Sequence, residues 1–418
     1  MERGQIFKGD IIFTPTPKGF VSLKGGYIVV SKGKVEGVYK ELPEKYNGLE
    51  IIDFDRQLIL PAFVDLHVHA PQFYQTGVGM DKELISWLNN HTFPLEKRFV
   101  DPEFAREAYT LFVDELIRQG TLRACIYATI HKKSTEILFD ILTSRGIGAY
   151  VGKVNMDRNC PSYLKEETSV SLQETEEFII NHINHPLVKP IVTPRFAPTS
   201  SEELLEGLGR LALKYNLPVQ SHLSENLQEI EWVKELFPSQ ATYADVYYHF
   251  GLLGQTSTFM AHAIHLEERE LVLIKDKAVW LVHCPESNIN LSSGIMPVRE
   301  LLDGGIQLGL GSDIGAGHNT AIYKVMVRAV QLSKIRSFYD SKSKALTTAE
   351  VFYLGTKGGG SFFGKVGSFE PGYSFDAIVV NDEQPIDAEL TIEERLQKFL
   401  YTGEARNITA RFVEGKRI

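Results

Sequence analysis

Cysteine is scarce: three residues, Cys125, Cys160 and Cys284, in a chain of 418. They are odd in number and far apart, which argues against a disulfide-stapled secreted scaffold. No apolar run reaches the roughly 18 residues that a membrane span requires. The opening MERGQIFK has no apolar signal core. The expectation is a cytoplasmic protein with no membrane partner. The Asn407-Ile408-Thr409 sequon carries no weight without a secretory route. Positive charge is also short, with 44 Lys and Arg against 53 Asp and Glu, net −9. An acidic surface argues against general affinity for nucleic acid. What is present is 43% hydrophobic and 23% charged, a globular mixture that excludes a disordered chain or a coiled-coil rod.

The first sixty residues read as short β-rich runs at 10–13, 26–30 and 50–54, with glycine turns between them. From Leu60-Pro61 to about residue 345 the pattern changes. Apolar runs at 62–68, 122–128, 147–153, 189–193, 218–222, 258–262, 279–283 and 307–311 alternate with amphipathic stretches. One of these, 102–119, gathers Phe104, Tyr109, Phe112, Val113, Leu116 and Ile117 on one face before Gly120. Eight strand–helix units predict an α/β chain closed as a (β/α)₈ barrel, TIM-like, over 61–364. An open doubly wound sheet competes, but no Gly-x-Gly-x-x-Gly follows the first strand. β-rich runs return at 376–380 and 408–413, so residues 1–60 and 365–418 are expected to build one small β-sandwich domain. Gly358-Gly359-Gly360 lacks the following Gly-Lys-Ser/Thr of a phosphate loop and is expected to be a turn.

The chemistry gathers at the strand ends. In Val64-Asp65-Leu66-His67-Val68-His69, alternation puts His67 and His69 on one face of the first strand. Strand five ends at His222, strand six at His262 and strand eight at Asp313. Imidazoles and a carboxylate converging at the C-terminal end of a barrel suit a borderline metal. His67, His69, His222 and Asp313 are the candidate ligands. His262 is expected either to touch the metal or to hold the attacking water. Asp313 can also accept a proton from that water. Glu225, three residues after His222, is placed to carry a proton to a leaving nitrogen. Trp87 and His131 are candidates to line the pocket, and Cys284 is read as core packing.

The motifs HVHAPQ (67–72), SWL (86–88), TFPLEKRF (92–99), YATIH (127–131), GKVNMD (152–157), VTPRF (192–196), QSHLSEN (220–226) and HCPESN (283–288) span most of the chain. Together they resemble the guanine deaminase family within the amidohydrolase superfamily. The resemblance implies hydrolytic deamination of guanine to xanthine and ammonia. It implies one zinc ion per chain on His67, His69, His222 and Asp313, a set that also accepts iron. It assigns guanine contacts to Gln72, Arg195, Phe196, His222, Glu225 and Asp313, and it implies a homodimer. Ser312, where threonine is common, and Glu286, where asparagine is familiar, depart from the pattern without touching a candidate ligand. Two other readings compete. One is a hydrolase of the same superfamily acting on another aminopurine, a pterin, an aminotriazine or a cyclic amide. The other is a catalytically silent barrel that binds partners. The strand-four end, Val192-Thr193-Pro194, has no lysine to bridge two metals, which favours one metal and deamination.

Overall fold

All eight barrel strands form in the computed structural model, which describes residues 4–340, 343–382 and 390–418. They are Phe63–His69, Thr121–Tyr127, Gly148–Gly152, Val188–Pro190 (resumed at Thr193–Pro194), Val219–Leu223, Thr258–His262, Trp280–His283 and Gln307–Leu310. They pair in parallel as two four-stranded groups. A parallel bridge between Val192 and Val219 joins the groups on one side. On the other side the Asp313 N–H donates to the His67 carbonyl at 2.8 Å. The strands therefore close into the expected barrel. Its helices follow ordinary end signals. In Pro102–Arg118, Asp101 caps the N-terminus by accepting from the Glu103 N–H. Gly120, at φ 79°, turns the chain into the second strand.

A bulge in the first strand matters for the site. Asp65 pairs with Ala124 and Val68 with Ile126, so three steps on one strand face two on the next. Val64 and Leu66 join the barrel interior with Cys125, Ile191, Val282 and Cys284. Val68, past the bulge, packs outward with the helices. The extra residue lets His67 and His69 face inward as well, where strict alternation from Leu66 would have sent them out.

The termini build one seven-stranded mixed sheet. Its order is Lys416–Arg417, Ile408–Val413, Ala377–Val380, Glu50–Pro61, Gln5–Thr16, Gly19–Ser31 and Lys34–Tyr39. Phe7 and Phe412 lie on strands three places apart, about 14 Å in a flat sheet, yet their ring centroids are 5.0 Å apart. The sheet must fold over on itself. Its far strand also bonds back to the chain ahead of Ala377, with the Val35 N–H donating to the Tyr373 carbonyl at 2.8 Å. The result is a sandwich-like wrap around Phe7, Phe13, Phe369, Phe375 and Phe412.

One strand of this sheet, Glu50–Pro61, runs through Ala62 straight into the first barrel strand. At that junction Arg123 Nε donates to Asp376 Oδ2 at 2.6 Å, with both side chains buried. Removing one partner strands a buried charge. Arg123→Ala is expected to lower unfolding free energy by about 3 kcal/mol. Denaturant titration checks this, and a loss below about 1 kcal/mol would show the pair to be dispensable.

The glycine triplet corrects the expectation of a turn. Residues 354–360 are helical, with Gly358 at the end of a π-helical turn. A side chain there would collide with the floor of the barrel. A Cβ on Gly358 would lie 2.9 Å from the Leu308 carbonyl oxygen, and one on Gly360 2.4 Å from that of Val366. Close approach, not chain reversal, requires these glycines.

Candidate active site

The C-terminal ends of strands one, five, six and eight bring His67, His69, His222, His262 and Asp313 together. His69 Nε2 and His222 Nε2 are 3.2 Å apart. Asp313 Oδ1 lies 3.3 Å from His67 Nε2 and 3.5 Å from His69 Nε2. Tetrahedral zinc with ligand bonds of 2.0–2.1 Å has ligand atoms about 3.4 Å from one another. The cluster therefore has the spacing of a metal site. The chemistry of the donors agrees. Among the described residues, fully buried His67 has no hydrogen-bond partner for Nδ1, and Nε2 has only the 3.3 Å approach of Asp313 Oδ1. Burial pushes the imidazoles of His67, His69 and His222 below their usual range, His69 and His222 furthest because neighbouring imidazoles add to it. They are neutral and free to ligate. Burial alone would raise Asp313, but its close contacts with His67, His262 and His69 together hold it well below the usual carboxylate range.

Outer contacts fix these groups. His222 Nδ1 sits 2.6 Å from the Arg195 carbonyl oxygen and must donate to it, which leaves Nε2 as the free lone pair. His262 Nδ1 meets Asn288 Oδ1 at 2.9 Å. Asp65 ties strand one to strand eight by accepting from the backbone N–H groups of His67 and Ser312 at 3.1 and 3.0 Å. Gly311 permits the close approach of those strands, since a Cβ there would be 2.7 Å from His67 Cβ. Ser224, His262 and Asp313 all adopt left-handed backbone, with φ of 47°, 71° and 47°. Non-glycine residues take this conformation at a cost, and it gathers at functional sites.

Glu225 stands beside the cluster. Its Oε2 is 3.6 Å from His262 Nε2, and Oε1 accepts from the Ser293 hydroxyl at 3.2 Å. Burial raises its carboxyl to about 7, against the opposing charge of His262. His262 Nε2 also lies 3.7 Å from Asp313 Oδ2. Burial depresses His262, but Glu225 and Asp313 outweigh it and raise the imidazole.

Gln72, Arg195, Phe196, His222, Glu225, His262 and Asp313 line one cavity, with Trp87 forming part of its apolar wall. The residues expected to hold metal or substrate are thus in or against it. His131 is not; it precedes the helix Lys132–Arg145, away from the cavity lining. Trp87 belongs to a short helix, Leu84–Trp87. Cys284 lies near His67, His262 and Asp313, but burial raises its thiol strongly, which keeps it protonated and a poor ligand. Sequence reasoning gave no role to Asp65, Glu96, Asn288 or Ser293. Glu96, Asn288 and Asp65 sit within or beside recognisable motifs, but no spacing rule marks a group that contacts only other site residues.

Comparison with known proteins gives consistent relatives. The Amidohydrolase family profile matches residues 58–418. The guanine deaminase of Dictyostelium discoideum is 41% identical over 378 residues, 88% of this chain and 84% of its own. That of Escherichia coli (strain K12) is 33% identical over 407 residues, 94% of this chain and 91% of its own. The crystal structure of guanine deaminase from C. acetobutylicum, with guanine bound in the active site, superposes with a TM-score of 0.98. It is 52% identical and covers 99% of this chain and 100% of that one.

Proposed function

The chain belongs to the amidohydrolase family, and we propose that it hydrolyses the 2-amino group of guanine to give xanthine and ammonia. The observation that carries this reading is one cavity lined both by clustered His and Asp side chains of metal-ligand type and by Glu225, Gln72, Arg195 and Phe196. The guanine deaminases it resembles over most of their length supply the substrate. One zinc ion per chain fits His67, His69, His222 and Asp313. Bound there, it supplies the Lewis acidity that lowers the pKa of water towards about 7. Residence in the cytoplasm and a homodimeric assembly complete the reading, the first supported by three unpaired cysteines.

The protein's own groups move the protons. Asp313, held ionised, accepts a proton from the attacking water, and His262 orients that water between Asp313 and Glu225. As the oxygen adds to C2, Glu225 delivers a proton to the adjacent ring nitrogen. The carbon becomes tetrahedral. Asp313 returns its proton by way of Glu225 to the amine, the C2–N bond breaks, ammonia departs, and the remaining hydroxyl proton passes to Glu225 as the C2=O bond forms. A carboxyl near 7 suits both halves of this relay, because it gains and loses a proton with little cost at neutral pH. Arg195 offers fixed donors to a carbonyl oxygen on the ring, and Trp87 and Phe196 flank the flat purine.

Ammonia release from guanine by the purified protein tests the reading, with adenine, a pterin and an aminotriazine alongside. Turnover confined to guanine, with xanthine formed, is the expected outcome. Turnover of one of the others in its place would move the chain elsewhere in the family.

A further inference from the structure

Glu96 lies in the TFPLEKRF stretch and is only 2% exposed. Its two oxygens are divided between two residues of the cavity. Oε1 accepts from Gln72 Nε2 at 3.0 Å, and Oε2 accepts from Arg195 Nη1 at 2.7 Å. Phe93, three residues earlier, faces the same guanidinium at 5.2 Å from its ring centroid. We propose that Glu96 is a positioning residue that sets the hydrogen-bonding polarity of the purine pocket by dictating which end of the Gln72 amide faces the substrate. This rests on the guanine reading above.

Donors and acceptors decide how Gln72 is turned. An ionised carboxylate only accepts, so the end of Gln72 facing Glu96 must be its NH₂. The amide oxygen is then turned the other way. It lies towards Gly315, where a Cβ would be 2.9 Å from it, and Gly315 sits between the cavity residues Asp313 and Ala316. Glu96 also engages one arm of Arg195, which leaves other N–H donors of that fork for the cavity. The wall therefore offers an acceptor from Gln72 and donors from Arg195. Guanine presents the complement on its six-membered ring, an N1–H donor beside the O6 acceptor. 2-Aminopurine carries the same reactive amine on C2 but shows a bare N1 lone pair and no O6. Against Gln72 it would set acceptor to acceptor.

Glu96→Gln turns this into a test. The new amide has one acceptor and one NH₂. Arg195 can only donate, so it takes the acceptor, and the NH₂ is left for Gln72. Gln72 must reverse to meet it and then shows its own NH₂ to the substrate. Sites built to bond a polar group discriminate strongly against its absence. In Glu96→Gln, kcat/KM for guanine should fall at least about 100-fold, carried mainly by KM, while that for 2-aminopurine falls less than about tenfold. The guanine to 2-aminopurine ratio then collapses at unchanged metal content. Equilibrium binding, read by 2-aminopurine fluorescence with guanine as competitor, should shift in the same sense. Glu96→Asp keeps a pure acceptor and should hold the ratio within about threefold at reduced overall rate. Gln72→Met should collapse the ratio without touching the Glu96–Arg195 pair, and it serves where Glu96→Gln does not fold. Guanine turnover by the native protein with an unmoved ratio in the variants overturns the role of Glu96 alone. Native protein that neither binds nor turns over guanine overturns the substrate reading and this one with it.

Discussion

Glu225→Gln is expected to cut guanine turnover about 10³-fold while the protein keeps its metal and becomes more stable above pH 7. The first half follows from position. Glu225 is the carboxyl beside His262 and Asp313 that is free of the ligand set, and an amide cannot relay protons. Because the relay begins with a proton delivered by Glu225, native kcat/KM should fall as pH rises above about 7, and the residual activity of the variant should lose that limb. The stability half follows from linkage. The folded-state carboxyl titrates near 7, above its ordinary 4.5. Below about pH 4 both folded and unfolded chains are protonated and burial of the neutral acid carries no charge penalty. As pH rises towards 7 the unfolded chain ionises first, and native stability falls until the folded group ionises too. The deficit above pH 7 is on the order of 3 kcal/mol. Denaturant titrations of the metal-free proteins at pH 4 and pH 8 should show the variant gaining only at the higher pH. Near-normal turnover in Glu225→Gln would remove this residue from the reaction.

Chelation is the second large effect. Stripping the metal should abolish ammonia release, and zinc should restore it. Stability should follow, because anything bound only by the folded state stabilises it, by about 4 kcal/mol at a thousand times the dissociation constant. The site's burial explains why the loss should be clean. Burial lowers the His67 imidazole and holds those of His69 and His222 well below their ordinary range, so protons do not compete for them at pH 7. Retention should persist on mild acidification and fail only at distinctly lower pH. Metal analysis, ammonia assay and thermal melts on the same samples check this. Full turnover at less than about a tenth of an ion per chain would defeat the metal reading.

Much of this was legible in the sequence because barrels repeat a simple rule. Apolar strands alternate with amphipathic helices, and the residue at each strand's end faces one mouth. His67, His69, His222, His262 and Asp313 could be read from that rule alone. What alternation could not show was how two histidines and two apolar side chains on one strand all turn inward. The bulge between Asp65 and Val68 does that, and a bulge leaves no mark in a two-residue period. The glycine triplet misled for a related reason. Glycine marks both chain reversal and close backbone approach, and only the positions of Leu308 and Val366 distinguish them. Glu96 stayed silent because it touches Gln72 and Arg195 across 24 and 99 residues of chain.

The wrapped terminal sheet has a consequence for how the chain comes to be folded. Glu50–Pro61 lies hydrogen-bonded between Gln5–Thr16 and Ala377–Val380. The first neighbour is made before it, the second more than three hundred residues later. At ribosomal speeds of about 5–20 residues per second, that side of the strand waits on the order of 15–60 seconds for its partner. Throughout that interval an apolar run, Leu58-Ile59-Leu60, presents an open edge. The barrel strand carrying His67 and His69 continues directly from it. Nascent chains should therefore depend on edge-shielding chaperones, and the metal centre should be among the last parts to become rigid.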